Sequence, residues 1–181
     1  MTLRSIRKTL YLSFFIFSIA FLPSSIAQAE TTIAVVNVEE ILSVSKAAKS
    51  IKKQVDEKRN SFLANVKTEE EALRKEQKAI EAKRAEMSKE ELVKKAQEFE
   101  KRRLDAGSSI KKKKSALDKS YSKAMNALTK AIFDVCQKIA DERSIDLIIT
   151  RQNIIVGSNS LDITAEVLKR MNKQVPTLKL K

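Results

Sequence analysis

The side chains best able to act on another molecule are cationic. Between Lys101 and Lys123 stand nine basic residues, Lys101, Arg102, Arg103, Lys111, Lys112, Lys113, Lys114, Lys119 and Lys123, against two acidic ones, Asp105 and Asp118. Their chemistry is non-covalent: a stripe of this sign attracts anionic lipid, nucleic acid or an acidic protein, unless it is only the solvated face of a helix. Covalent chemistry has little to work with. Histidine is absent, which removes the commonest general base and transition-metal ligand. A lone cysteine, Cys136, can build neither a zinc site nor an internal disulfide. Gly107 and Gly157, the two glycines, are too far apart for a phosphate-binding loop. Carboxylate runs such as Glu69-Glu70-Glu71 sit among lysines, as ion-pair partners rather than raised-pKa acids. The composition argues against an enzyme and calls for no cofactor.

The elements that must carry this charge are helical. From Ile41 to about Glu142 the chain is mostly Ala, Glu, Lys, Leu, Arg, Gln and Ser, with almost no turn formers. Ile33-Ala34-Val35-Val36 is a β-favouring run, and Asn37-Val38-Glu39-Glu40 reads as an N-cap with Glu at the third helical position. One long helix is expected to follow. Its apolar positions are Val44, Ala48, Ile51, Val55, Phe62, Val66, Leu73, Ile80 and Met87, spaced by threes, fours and sevens. Beyond Val66, the places where a second apolar seam residue belongs hold Glu69, Glu76 and Lys83. The seam thins outward.

Ser88-Lys89-Glu90-Glu91 is a second capping box within helical sequence. A reversal there sets residues whose numbers sum to about 176 opposite each other across an antiparallel hairpin. Ala48 then meets Leu128, Ile51 meets Met125, Val55 meets Tyr121 and Val66 meets Ile110. In the middle, Phe62 meets Lys114, Glu69 meets Gly107 and Leu73 meets Arg103, which are poor coiled-coil partners. A sparse seam over arms of roughly 60 Å should flex. Gly107 is the expected hinge, since glycine costs about 1 kcal/mol against alanine inside a helix. Cys136, on the apolar stretch Ile132–Cys136, is expected to be a buried structural thiol.

Two short strands are expected at 145–150 and 153–157, and Asp162 should cap a final amphipathic helix through Ile163, Val167, Leu168 and Met171. Three short strands leave edges that one copy cannot close, so pairing between copies into a ring is expected. Ile33, Val35, Leu147, Ile149 and Ile155 are the residues expected in that shared body. Upstream, Arg4, Arg7 and Lys8, the apolar run from Leu10 to Leu22 and the Ala27-Gln28-Ala29 site read as a cleavable secretory signal over 1–29. About 13 apolar residues are fewer than the roughly 20 that a membrane anchor needs. Removing those three basic residues leaves 33 against 23 acidic, so the expected mature chain carries +10, of which the Lys101–Lys123 window holds +7.

Together these stretches resemble the Skp/OmpH periplasmic chaperones of Gram-negative bacteria. The resemblance is carried by Ile33–Val38 after the signal, the charged hairpin, Ile145–Ile149, and Asp162–Lys169. It implies a mainly α fold with a small β body: a long antiparallel helical hairpin, or coiled-coil arm (46–124, tip near 87–88), projecting from a trimeric β-barrel core (30–45 and 125–181). It implies a homotrimer, shaped like a jellyfish, acting as an ATP-independent holdase that carries unfolded outer-membrane proteins across the periplasm. Affinity for lipopolysaccharide and anionic phospholipid is implied as well, carried over to Arg102 and Arg103, with Lys111 to Lys114 as an added basic cluster. The longer basic stripe and the tail Lys173–Lys181 depart from the family pattern.

An unfolded β-barrel protein presents alternating apolar residues and unpaired backbone that invite aggregation. Flexible arms could enclose it through weak apolar contacts from Leu73, Ile80, Met87, Leu92 and Phe99, while basic groups attract an acidic client. Two other classes compete. A structural coiled-coil envelope spacer explains the helix but not the basic bias. A nucleic-acid-binding protein explains the charge, but the export signal, scarce aromatics and lack of a base-reading motif argue against it.

Overall fold

A computed structural model describes residues 31–180; the signal-peptide reading of residues 1–29 lies outside them. β1 (Ile33–Val36) pairs in parallel with β2 (Leu147–Thr150), Ile33 opposite Leu147 and Val36 opposite Thr150. A parallel pair needs a crossover, and here three helices supply it. Asn37 caps α1 (Val38–Val44) reciprocally: its side-chain oxygen accepts the Glu40 N–H at 3.1 Å, and its Nδ2 donates to the Glu40 carboxylate at 3.2 Å.

The single long helix expected from this point is interrupted. Ser45 takes an extended conformation, is fully buried, and accepts the Ala48 N–H at 3.2 Å to start α2 (Lys46–Lys83). The freed Lys46 N–H finds the Asn172 side-chain oxygen at 2.8 Å, a partner 126 residues away. The break rotates the register, so Val44 is exposed and Ile41 and Ala47 are buried in its stead.

At 1.5 Å per residue, α2 is about 57 Å long and α3 (Lys89–Arg143) about 80 Å. Between them, Ser88 opens α3 with a capping box. Ser88 Oγ accepts the Glu91 N–H at 3.2 Å and the Glu91 carboxylate accepts the Ser88 N–H at 3.0 Å. That backbone hydrogen bond, with help from the Ser88 hydroxyl, holds the Glu91 carboxyl below its ordinary range. The helices run antiparallel, since Glu57 shares a groove with Ser120, Phe62 with Lys113 and Val66 with Ile110. These pairs sum to within a few residues of the anticipated register. α3 ends where Ser144 turns left-handed (φ 51°) and the Ile145 N–H bonds back to the Ala140 carbonyl at 2.9 Å.

The strand expected at 153–157 is absent. Arg151–Asn153 and Asn159–Leu161 are single 3-10 turns, and between them Ile155 is 100% exposed. Ile154-Ile155-Val156 has strand propensity, but no second strand lies alongside to accept its ladder. Asp162 also sits one residue outside the expected cap position: α4 (Thr164–Gln174) has Ile163 at its N-cap, while Asp162 Oδ1 still accepts the Thr164 N–H at 2.8 Å.

The core gathers Ala34 and Val36 from β1, Ile41, the first turns of α2 through Ile51, the second half of α3 from Ala124 to Ile139, and Ile163, Val167 and Met171 around α4. Cys136 is buried among them, and burial pushes its thiol pKa up, so it is a packed side chain rather than a nucleophile. Among the described residues no helix is long and apolar enough to cross a membrane.

Candidate functional site

Past Ile51 the packing between α2 and α3 changes character. No residue of α2 from 52 to 83 is fully buried, and on α3 from the tip to Ser122 only Ala106 is. Phe62, Val66, Leu73 and Ile80 on α2, and Leu92, Phe99, Ile110 and Leu117 on α3, are half-buried. Grooves open to solvent flank this seam. One of about 430 Å³ lies between Phe62, Asn65, Lys113 and Leu117, and another of about 480 Å³ between Val66, Glu69, Arg102 and Ile110. A third, of about 520 Å³ and mostly apolar, opens at the inner end beside Leu42, Val55, Tyr121 and Met125.

Charge closes the seam where apolar side chains fail. Arg102 reaches across from α3, its Nη1 donating to Glu76 Oε2 at 2.5 Å and its Nη2 lying 3.8 Å from Glu69 Oε1. Glu69 and Glu76 flank Leu73 by four and three residues, so these ion pairs cross from α3 to α2 on either side of it in the sequence. All three groups are substantially exposed, so such a pair contributes about 0–1 kcal/mol.

A model of the family described as outer membrane protein (OmpH-like) matches residues 32–171. The chain belongs to the OmpH-like family. A crystal structure of a candidate outer membrane chaperone (OmpH-like) from Caulobacter crescentus aligns with a TM-score of 0.76 at 15% identity, covering 88% of this chain and 95% of that one. At that identity the likeness shows the fold alone. No curated protein sequence matches at a significant level.

Within this OmpH-like chain, the residues singled out from sequence separate into groups. Arg103 pairs with Glu100 one turn back through both Nε (2.9 Å) and Nη2 (2.6 Å), which raises the arginine's pKa and lowers the carboxylate's. Arg102 and Arg103 therefore both already face carboxylates. Lys111 to Lys114 are exposed, and none of the ion pairs among the described residues uses them. Consecutive helical residues turn by 100°, so these four lysines ring the helix: Lys113 borders both outer grooves and Lys111 points away.

Leu73, Ile80, Met87, Leu92 and Phe99 are all half-buried, because they sit on or beside the seam that their spacing defines. The large apolar groups standing free on the outer helices are others: Leu63 at 56% exposure, Val93 at 57% and Leu104 at 60%, with Tyr121 and Phe133 exposed nearer the core. For Leu63 and Val93 the signal in the sequence is the doublet, since the neighbour of a seam residue points about 100° away, as Leu63 does from Phe62 and Val93 from Leu92; Leu104, between Arg103 and Asp105, has no such mark. Val93 and Leu104 are 11 residues apart, which returns to within about 20° of the same line along α3. Gly107 lies close to that line inside an unbroken helix, and a Cβ added there would meet nothing within 4 Å.

In the β region, Val35 is buried, and its carbonyl accepts the Ile163 N–H at 2.9 Å. Ile33 and Leu147 lie exposed on the sheet face away from the core, Ile149 is half-buried on that face, and Ile155 stands free beyond it. The region is braced by charge. Burial raises the Asp162 pKa, but hydrogen bonds from Thr164 and Arg151 outweigh that and leave it lowered. Glu166 is lowered chiefly by Arg170, with Arg143 adding to it.

Proposed function

We propose that this OmpH-like chain is an ATP-independent periplasmic holdase that binds unfolded outer-membrane β-barrel proteins and keeps them from aggregating until they reach the outer membrane. The observation that carries this reading is the α2–α3 pair. Its seam is flanked by grooves open to solvent, the free apolar groups of its outer part, Leu63, Val93 and Leu104, are scattered rather than joined in one patch, and its surplus charge is positive. Scattered weak apolar contacts on a basic support suit a client that must be held loosely and let go, because many such contacts sum to tight but reversible binding.

In this reading α2 and α3 from 46 to 124 form an arm, tipped near Ser88 and flexing about Gly107, and the rest of the mature chain forms the body. The exposed sheet face of Ile33, Leu147 and Ile149, with the strand-prone but unpaired Ile154-Ile155-Val156, supports a homotrimer in which neighbouring copies complete a β barrel. Three arms would then surround one client. The chain catalyses nothing and needs no nucleotide. Lys111 to Lys114, unpaired and exposed, are better placed than Arg102 and Arg103 to meet lipopolysaccharide, anionic phospholipid or the client's own acidic groups.

The test is dilution of a urea-unfolded outer-membrane protein into buffer with the chain beginning at Glu30. Near-stoichiometric protein should suppress light scattering without ATP. Unchanged scattering at low salt would overturn the reading and leave a coiled-coil spacer as the better description. Sedimentation of the chain alone and with client tests the trimer: a monomer at micromolar concentration would refute it.

A further inference from the structure

The segment that follows α4 has no helix or strand of its own, yet it is held. Val175 and Leu178 pack against the buried cluster, Leu180 is itself buried, and Lys179 between the two leucines is exposed. Gln54 of α2 grips the backbone of this segment. Its Nε2 donates to the Leu178 carbonyl at 2.6 Å, and its Oε1 accepts the Leu180 N–H at 3.1 Å. The same Nε2 lies 3.1 Å from the Ser50 carbonyl and 3.2 Å from Ser50 Oγ, which fixes the plane of the amide.

A carboxamide offers the same donor and acceptor as a peptide group. By engaging the carbonyl of one residue and the N–H of the residue two further on, Gln54 behaves as a residue of an adjoining parallel strand does. Such bonds read backbone and ignore side-chain identity. Selection is left to the side chains that the extended conformation turns inward, here Leu178 and Leu180, with Lys179 turned to water. The grip therefore asks for an extended chain reading apolar, any, apolar, which is the period of a half-buried β-strand.

We propose that Gln54, with the apolar surface under Leu178 and Leu180, is a binding site for extended polypeptide with alternating apolar side chains, and that the chain's own tail, Val175–Leu180, is its resident and displaceable occupant. The identity of the incoming chain as an unfolded, strand-forming client rests on the holdase reading; the occupancy by the tail does not. The tail is tethered to α4 by a few residues, so it competes at an effective concentration in the millimolar range. A short free peptide loses that competition. A long unfolded chain already touching the helices elsewhere is tethered too, and can displace the tail.

The test uses the full mature chain and a variant, Leu178→Asp with Leu180→Asp, that frees the tail without shortening the protein. The probe is a fluorescein-labelled peptide of the sequence Val175–Lys181, followed by anisotropy. The freed-tail variant should bind it at least ten-fold more tightly than the wild-type chain, and adding Gln54→Leu should remove that gain. Equal binding by all three overturns the proposal. On the wild-type chain, the Leu180 amide should be protected from hydrogen exchange, and should lose protection only when unlabelled peptide is added beyond the tail's millimolar effective concentration; exchange at the rate of an unstructured peptide overturns the proposal even if the variant does not fold. Wild-type protein that suppresses client aggregation while Gln54→Leu changes nothing would refute this site and leave the holdase reading intact. Peptide binding as expected, with no aggregation suppressed by any variant, would refute the holdase reading and leave the site.

Discussion

Replacing Leu128 by alanine and, separately, Val66 by alanine should show that the two ends of the α2–α3 pair are held by different amounts of free energy. Leu128 is fully buried in the core, and Leu→Ala at such sites costs about 3–5 kcal/mol, because the cavity adds to the lost transfer energy. Val66 is half-buried and already borders a groove open to water, so truncation leaves no sealed cavity. Two methyl equivalents at about 0.8 kcal/mol each, half-buried, come to roughly 0.8 kcal/mol. Native-state hydrogen exchange at fixed protein concentration separates the two cases, since local opening and global unfolding report on different amides. Leu128→Ala should speed exchange at Ile51, Ile132 and Ile139 by about 100-fold or more, at roughly 1.4 kcal/mol per decade. Val66→Ala should speed exchange only near 62–70 and 106–113, by about four-fold. If Val66→Ala accelerated the core amides as much as its own neighbours, the helices would unfold with the core as one unit, and the argument from a thin seam would fail.

Gly107→Ala should stabilise α3 by about 1 kcal/mol, since the site is helical and a methyl group meets nothing there; if Gly107 is the flexing point, distances between spin labels at the tip and at the core should also narrow, and an unchanged distribution would dismiss the hinge. Asp162 and Glu166 have lowered pKa values, so their contribution is complete above the ordinary carboxylate range near pH ~4 and is lost as pH falls through their lowered values. Asp162→Asn should therefore lower the denaturant midpoint at pH 7 by more than it does once the pH falls below the ordinary carboxylate range, and a deficit that does not shrink with falling pH would show that charge is not the cause. Reversing Lys111 to Lys114 to glutamate should weaken binding to anionic vesicles or to client and flatten its salt dependence; an unaltered salt slope would make the run a solvated surface only.

What the sequence announced and what it hid divide by distance along the chain. The Asn37–Glu40 and Ser88–Glu91 caps are written within four residues, and both formed. The break at Ser45 is different: a serine in a helix-favouring stretch carries little warning, and the bond that makes it tolerable comes from Asn172. The expected strand at 153–157 failed for a related reason, since β-branched residues state a preference that only a neighbouring strand can satisfy. The grip on the tail needs Gln54 to meet residues 124 and 126 positions away, and nothing local to either segment marks it.

Arg102 shows what patterns read one at a time leave unjoined. Glu69 and Glu76 were legible as charges standing in seam positions, and Arg102 as part of a basic run, while its assignment to outside anions came from the family resemblance alone. Their geometry makes it first a cross-helix strap. A buried apolar pair in its place would stabilise the helices by a few kcal/mol and hold them shut. An exposed ion pair contributes about 0–1 kcal/mol, weakens with salt, and can exchange its carboxylates for those of another molecule at little cost. The outer seam is therefore one that an acidic, partly apolar chain could open and share, whereas the core around Leu128 and Ile132 offers it no comparable entry.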